Sequence, residues 1–203
     1  MALNAFKPED ILIVMALEKE GGERLEPLGF PVLYCGLGKV NATYALTKAL
    51  SQALAGNNLK SKPRLILNLG TAGSSVFAKG QLVACHQFIE RDMDVRPLGY
   101  ELFETPFDSL PIQLDTKPFF EELESGICGT GDHFDVKHDP NNGQLVDMEA
   151  YALAKVALQE GIDFACVKYI SDGADDSAES DWYDSLHTAP EKFETLVKEH
   201  FNL

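Results

Sequence analysis

Two carboxylates stand where apolar segments begin or end. In VDMEAYALA, residues 146–154, Glu149 falls in what reads as the first turn of a helix. In KYISDGADD, residues 168–176, Asp172 follows Ser171 at the end of an apolar run. Partial burial at such an edge raises a carboxyl pKa from about 4 toward neutrality, where it can deliver a proton. An acid in a first helical turn is instead favoured as an anion and can accept hydrogen bonds from ligand hydroxyls. Each has a plainer reading, Glu149 as a favourable first-turn acid and Asp172 as a cap or turn residue. The acids after Asp172 do not fit the D-x-[DN]-x-[DN]-G spacing of a calcium loop. Asp175, Asp176, Glu179, Asp181 and Asp184 read as a solvated loop.

The elements that must position these acids are short apolar runs: Ile11–Val14, Val32–Cys35, Leu65–Leu67, Leu82–Cys85 and Phe164–Val167. Each is too short for a helix and lacks strict alternation, as strands buried on both faces do. Helical spacing lies between several of them. Ala42, Ala45, Leu46, Ala49 and Leu50 follow one face, and Ala150, Leu153, Ala154, Ala157 and Leu158 another, with Asp147 as N-cap. Thr188 to Glu191 has capping-box spacing and opens a helix carrying Phe193, Leu196, Val197 and Phe201. Strands alternating with amphipathic helices predict a layered α/β fold with a mainly parallel sheet, in a single domain over residues 1–203. Residues 98–115 lack a period and read as a surface connection. Ligands in such sheets sit beyond the carboxyl ends of the strands.

Three glycine-bearing turns follow strands: GLGKVNA (36–42), LGTAGSS (69–75) and GTGDHF (129–134). Small residues let backbone N–H groups approach a ligand, although a tight turn explains each one equally well. The first also resembles a dinucleotide fingerprint, but the next strand runs into Gly70-Thr71 without the acid that would hold a ribose.

The chain has 203 residues, 45% apolar and 24% charged, with a net charge of −15. Such acidity repels nucleic acid and anionic lipid, so neither is an expected partner. No stretch reaches the roughly 20 apolar residues of a membrane span. The apolar run in Met1–Lys7 is too short for a signal peptide. Cys35, Cys85, Cys128 and Cys166 are far apart, without CxxC pairs, and read as reduced core cysteines of a cytoplasmic protein.

Taken in order, ILIVMALEKE (11–20), GLGKVNA, LILNLGTAGS (65–74), RDMDVRPLGY (91–100), GDHF (131–134), VDMEAYALA and VKYISDGAD (167–175) resemble the nucleoside phosphorylase and nucleosidase family, particularly the methylthioadenosine/S-adenosylhomocysteine nucleosidases. The blocks span most of the chain. The resemblance implies a three-layer α/β/α fold around a central mixed, mainly parallel sheet, hydrolysis of the N-glycosidic bond of a purine nucleoside, no metal or cofactor, and a homodimer. It also implies site residues: Glu20 activating water, Asp172 as the acid at the purine with Ser171 supporting it, Met148 and Glu149 at the ribose, Phe134 stacking on the base, and Thr71 facing the ribose.

The reaction has its own demands. The sugar becomes cationic and the base leaves as an anion unless protonated, so an acid, a base for water and negative charge near the sugar are all needed, as in O-glycoside hydrolysis. On this reading Glu149 stays ionised. A phosphorylase is the alternative enzyme. In ALEKEGG, residues 16–22, two glutamates flank one lysine, a poor setting for a phosphate. A non-catalytic nucleoside-binding protein is the third reading. Three departures from the family pattern stand out: Lys168 where arginine is common, Asp135 where an aliphatic residue is usual, and a stretch between Glu20 and Gly36 that is shorter than usual, as if a strand or hairpin were missing.

Overall fold

Ile11–Met15 offers no polar side chain to turn toward water, and as strand β1 it is buried on both faces. The computed structural model describes residues 3–54 and 61–201, so Met1 and Ala2 of the N-terminal run lie outside the described residues. Parallel β2 (Val32–Tyr34) and β3 (Leu65–Gly73) flank β1. The apolar run expected at Leu65–Leu67 thus continues through Gly70 and Thr71 to Gly73. Strand β8 (Asp163–Asp172) pairs parallel with β3 and antiparallel with β4 (Leu82–Glu90). Strand β6 (Ser125–Thr130) runs parallel to β4 and to the short β7 (Leu145–Asp147), and β7 meets β3 at Gly73. Strands β3, β8, β4, β6 and β7 therefore close on themselves within a mixed, mainly parallel eight-stranded sheet. The β3–β8 register shifts at Gly73, beside Asp172. That local irregularity lies where the ring closes.

Alternate side chains of β1 and β3 feed two cores. Leu12, Val14 and Ile66 pack with helices α2 (Lys39–Leu54) and α3 (Ala150–Gln159). Ile11, Ile13, Met15, Leu65 and Leu67 pack with helix α5 (Ala189–Phe201) on the opposite face. This is the layered arrangement read from the alternation of strands and helices. Ala42, Leu46 and Leu50 form the buried stripe of α2. All four cysteines are free and buried. No helix among the described residues is long and apolar enough to cross a membrane.

Three details differ from expectation. Residues 98–115 end in a strand, β5 (Gln113–Asp115), which pairs with β4 and buries Leu114 completely. Three residues are too few to show a period. The acidic stretch read as loop contains helix α4 (Ala178–Ser185), in which Ala178 and Ser185 are buried while most of the acids face water. The Thr188 hydroxyl opening α5 bonds Tyr169 Oη at 2.8 Å and the Ser185 carbonyl at 3.3 Å.

Candidate active site

The carboxyl ends of β1, β3, β6 and β8 border a cleft of about 530 Å³ lined by Glu20, Thr71, Phe134, Met148, Glu149, Ser171 and Asp172. Each site residue singled out in the sequence lies on this one cleft, although they span residues 20 to 172.

Glu20 ends a 3-10 turn just beyond β1 and is buried. Its Oε1 accepts the Thr71 backbone N–H at 3.0 Å and the Thr71 hydroxyl at 2.8 Å. Among the described residues Oε2 accepts only the Leu17 N–H, at 3.0 Å. A carboxylate oxygen has about two lone-pair sites. Oε1 is thus filled and Oε2 keeps one site for a ligand or water proton. Thr71 does not turn its hydroxyl proton toward a sugar; it holds Glu20.

The GLGK turn does not offer its amides to a ligand. Gly38, at φ +88°, donates its N–H to Glu149 Oε1 at 2.8 Å, and Lys39 N–H goes to Asp132 Oδ1 at 2.7 Å. A Cβ on Gly38 would sit 2.9 Å from that same Asp132 oxygen. Glycine is required there both for backbone conformation and for space. Lys39 Nζ is itself tied to Glu90 and Asp92. The amides at the start of α2 are taken by the protein's own carboxyl groups, which leaves no phosphate or dinucleotide cradle at this turn.

Glu149 stands just before α3, yet burial there outweighs the helix dipole. Burial and the neighbouring Asp147 push its carboxyl up to about 8, while Lys168 and the Gly38 N–H pull the other way. Free of ligand, Glu149 is mostly protonated at neutral pH, contrary to the expectation that it stays ionised. The true anion at the start of α3 is Asp147: the N-cap position expected for it falls to Glu149, whose side chain makes no cap bond, and Asp147 accepts the Ala150 N–H at 2.8 Å from two residues further back. Asp147 also accepts the Thr130 hydroxyl at 2.6 Å and pairs with fully buried Lys168 at 2.8 Å. Burial opposes the charge of Asp147, but Lys168 and these hydrogen bonds hold its carboxyl below the usual range. Lys168 thus supports the acids from beneath: a Cβ on Gly70 would lie 3.5 Å from its Nζ and 3.6 Å from Glu20 Oε1.

Asp172 ends β8. Burial raises its carboxyl above the usual value, opposed by hydrogen bonds from Ser171 and Ala174. Ala174 N–H reaches Oδ1 at 2.8 Å, and Ser171 Oγ lies 2.6 Å from Oδ2 and 3.2 Å from the Ala72 carbonyl. The Ser171 hydroxyl has one proton for two acceptors. When Oδ2 is protonated it donates to Ser171, which then donates to Ala72; when Oδ2 is ionised, Ser171 turns back to it. Both charge states of Asp172 are accommodated without moving a heavy atom. A Cβ on Gly73 would come within 2.7 Å of Asp172 Oδ1, so no other residue leaves the acid in place.

Residues outside the sequence-derived set complete the walls. Arg91, at the end of β4, gives its guanidinium to His133 Nε2 at 2.7 Å, to the His133 carbonyl at 2.8 Å and to Asp135 at 3.4 Å. It braces the loop carrying Phe134, which is 48% exposed and open to a ligand. Asp135 is therefore answered by a cation. Trp182 of α4 reaches the floor, where its Nε1–H donates to Thr71 Oγ1 at 3.0 Å. Asp176 and Glu179, expected in a solvated loop, line the cleft as well. Among the described residues no cluster of His, Cys, Asp and Glu is placed to hold a metal.

Comparison with known proteins gives the family and the fold. The model of the phosphorylase superfamily matches residues 31–202. The 5'-methylthioadenosine/S-adenosylhomocysteine nucleosidase of Marinomonas sp. (strain MWYL1) is 27% identical over 199 residues, covering 87% of this chain and 82% of that protein. Two Helicobacter pylori structures share the fold at a TM-score of 0.79 and cover 95% of this chain and 97% of theirs. They are a 5'-methylthioadenosine/S-adenosylhomocysteine nucleosidase with butyl-thio-DADMe-Immucillin-A, at 22% identity, and a futalosine hydrolase, at 21%. The chain belongs to the phosphorylase superfamily.

Proposed function

We propose that this protein hydrolyses the N-glycosidic bond of a purine nucleoside of the methylthioadenosine/S-adenosylhomocysteine kind, releasing free base and the ribose derivative. The observation that carries the reading is the convergence of Glu20, Glu149 and Asp172 on one cleft. Asp172, raised by burial, protonates the departing purine while Phe134 stacks on it. Glu20 takes the proton of the attacking water at Oε2. Glu149 and Met148 hold the ribose, and as positive charge develops on the sugar it draws the Glu149 carboxyl toward its anionic form, the proton passing to solvent water through the open cleft. The charges of Asp147 and Lys168 stay fixed beneath.

Water is favoured over phosphate as nucleophile. A carboxylate about 4 Å from a phosphate costs on the order of 4 kcal/mol per unit charge at an effective dielectric near 20. Glu20 lines the cleft in which a phosphate would have to attack, and the amides of the GLGK turn are occupied. We place the protein in the cytoplasm, in keeping with its free cysteines. We also read it as a homodimer, joined through the face of α2 that exposes Val40 and Tyr44 beside Leu37 at the cleft.

The test is incubation with a panel of purine nucleosides in phosphate-free buffer, with released bases read by chromatography. Base release without phosphate is expected. Strict dependence on phosphate would make the protein a phosphorylase. Ligand binding with background turnover, unchanged by Asp172→Asn and Glu20→Gln, would make it a binding protein.

A further inference from the structure

Helix α4 carries the protein's one tryptophan, in a stretch otherwise dominated by acids and small residues. The Trp182 indole N–H donates to Thr71 Oγ1 at 3.0 Å, and Thr71 Oγ1 lies 2.8 Å from Glu20 Oε1. We propose that Trp182 is a positioning residue for the reaction: by occupying the Thr71 oxygen as acceptor, it commits the Thr71 hydroxyl to Glu20 and ties the seating of α4 to the alignment of the base that activates water.

The direction of this chain follows from chemistry alone. An indole N–H only donates, so Thr71 Oγ1 must accept from it. The threonine proton then points elsewhere, and an ionised Glu20 only accepts. Hydrogen bonds in series polarise one another, so the indole strengthens the bond that Thr71 gives to Glu20. The Thr71 backbone N–H fixes the same oxygen from a rigid strand, at 3.0 Å. With Oε1 immobilised from two sides, the open site on Oε2 has a defined direction. A Trp182 that merely walls the cleft would contribute area to ligand binding and leave Glu20 indifferent to it. Helix α4 has a further anchor, since Lys79 pairs with Asp181. The indole contact is the one that reaches the catalytic floor.

The inference rests on the reading of Glu20 as the base, and its test is partly independent of turnover. In ¹⁵N-labelled protein the single indole N–H gives one cross-peak. Thr71→Val keeps the shape and the backbone N–H but removes the acceptor, so the peak should shift and its solvent exchange should quicken about tenfold or more. An unchanged peak overturns the proposal. In kinetics, Trp182→Phe should lower kcat about tenfold with KM within about threefold, the pattern of a lost transition-state interaction. Placed on Thr71→Val, the same change should cost less than about twofold, because the relay is already cut. Independent, multiplying losses overturn the proposal, as does a raised KM with kcat intact. Failure of the hydrolase reading looks different: the wild type releases no base, while the indole peak still responds to Thr71→Val.

Discussion

Glu149→Gln offers a direct measure of what the cleft costs the fold. The Glu149 carboxyl lies at about 8 rather than the ordinary 4.5, through burial first and Asp147 second. A folded-state pKa raised above the unfolded value means that the native protein holds a proton which the unfolded chain has already released. The stability is then complete below about pH 4.5 and drains away as pH climbs to about 8, at ~1.4 kcal/mol per pH unit. At pH 7 the deficit is about 3 kcal/mol, and its ceiling is on the order of 4–5 kcal/mol. Glutamine reproduces the protonated acid, neutral and able to accept the Gly38 N–H. Urea unfolding followed by circular dichroism at pH 5, 6, 7 and 8 should show the variant close to wild type at pH 5. By pH 7 to 8 it should be more stable by roughly 2–4 kcal/mol. Turnover should meanwhile fall about 100-fold, since the amide cannot become an anion beside a cationic sugar. A stability difference that stays flat within about 0.5 kcal/mol across this range refutes the electrostatic account of Glu149.

Other outcomes follow from the same geometry. Lys168→Met strands Asp147 as an unpaired buried charge and should cost about 3–5 kcal/mol in urea melts, with Asp147→Asn added to it restoring most of the loss; a loss under about 1 kcal/mol contradicts the pairing. Asp172→Asn should lower kcat by about 100-fold or more with unchanged circular dichroism, and near-wild-type turnover would remove Asp172 from the acid role. Because Trp182 borders the cleft, titration with free purine base should alter the tryptophan emission. Binding seen by calorimetry without any fluorescence change would place the ligand elsewhere.

The sequence made the scaffold readable because β1, β3 and β8 are buried on both faces and leave long apolar runs in the chain. The acids at their edges were legible for the same reason, since a carboxylate bordering such a run must serve something. What escaped notice depends on contacts between residues distant in the chain. Asp147 reads locally as the N-cap of α3, a position Glu149 takes while Asp147 still accepts the Ala150 N–H, and its pairing with Lys168 comes from β7 and β8 lying near each other around the closed ring. Arg91 shows its purpose only against His133 and Asp135 across the cleft wall. Trp182 sits among acids that outweigh it in any local average, and its partner is more than a hundred residues away. The error about the charge of Glu149 has a related cause: helix dipoles can be read from local sequence, whereas desolvation depends on the whole neighbourhood.

The amide that grips Glu149 Oε1 belongs to a turn whose glycine admits no substitute. A ribose hydroxyl arriving in the cleft therefore meets an acceptor already aimed by folding, and little ordering remains to be done when the sugar docks. The same grip narrows what evolution can make of this face. Turning it into an anion receptor would require losing Glu149 and Asp132 together, because either one left behind would still claim an amide.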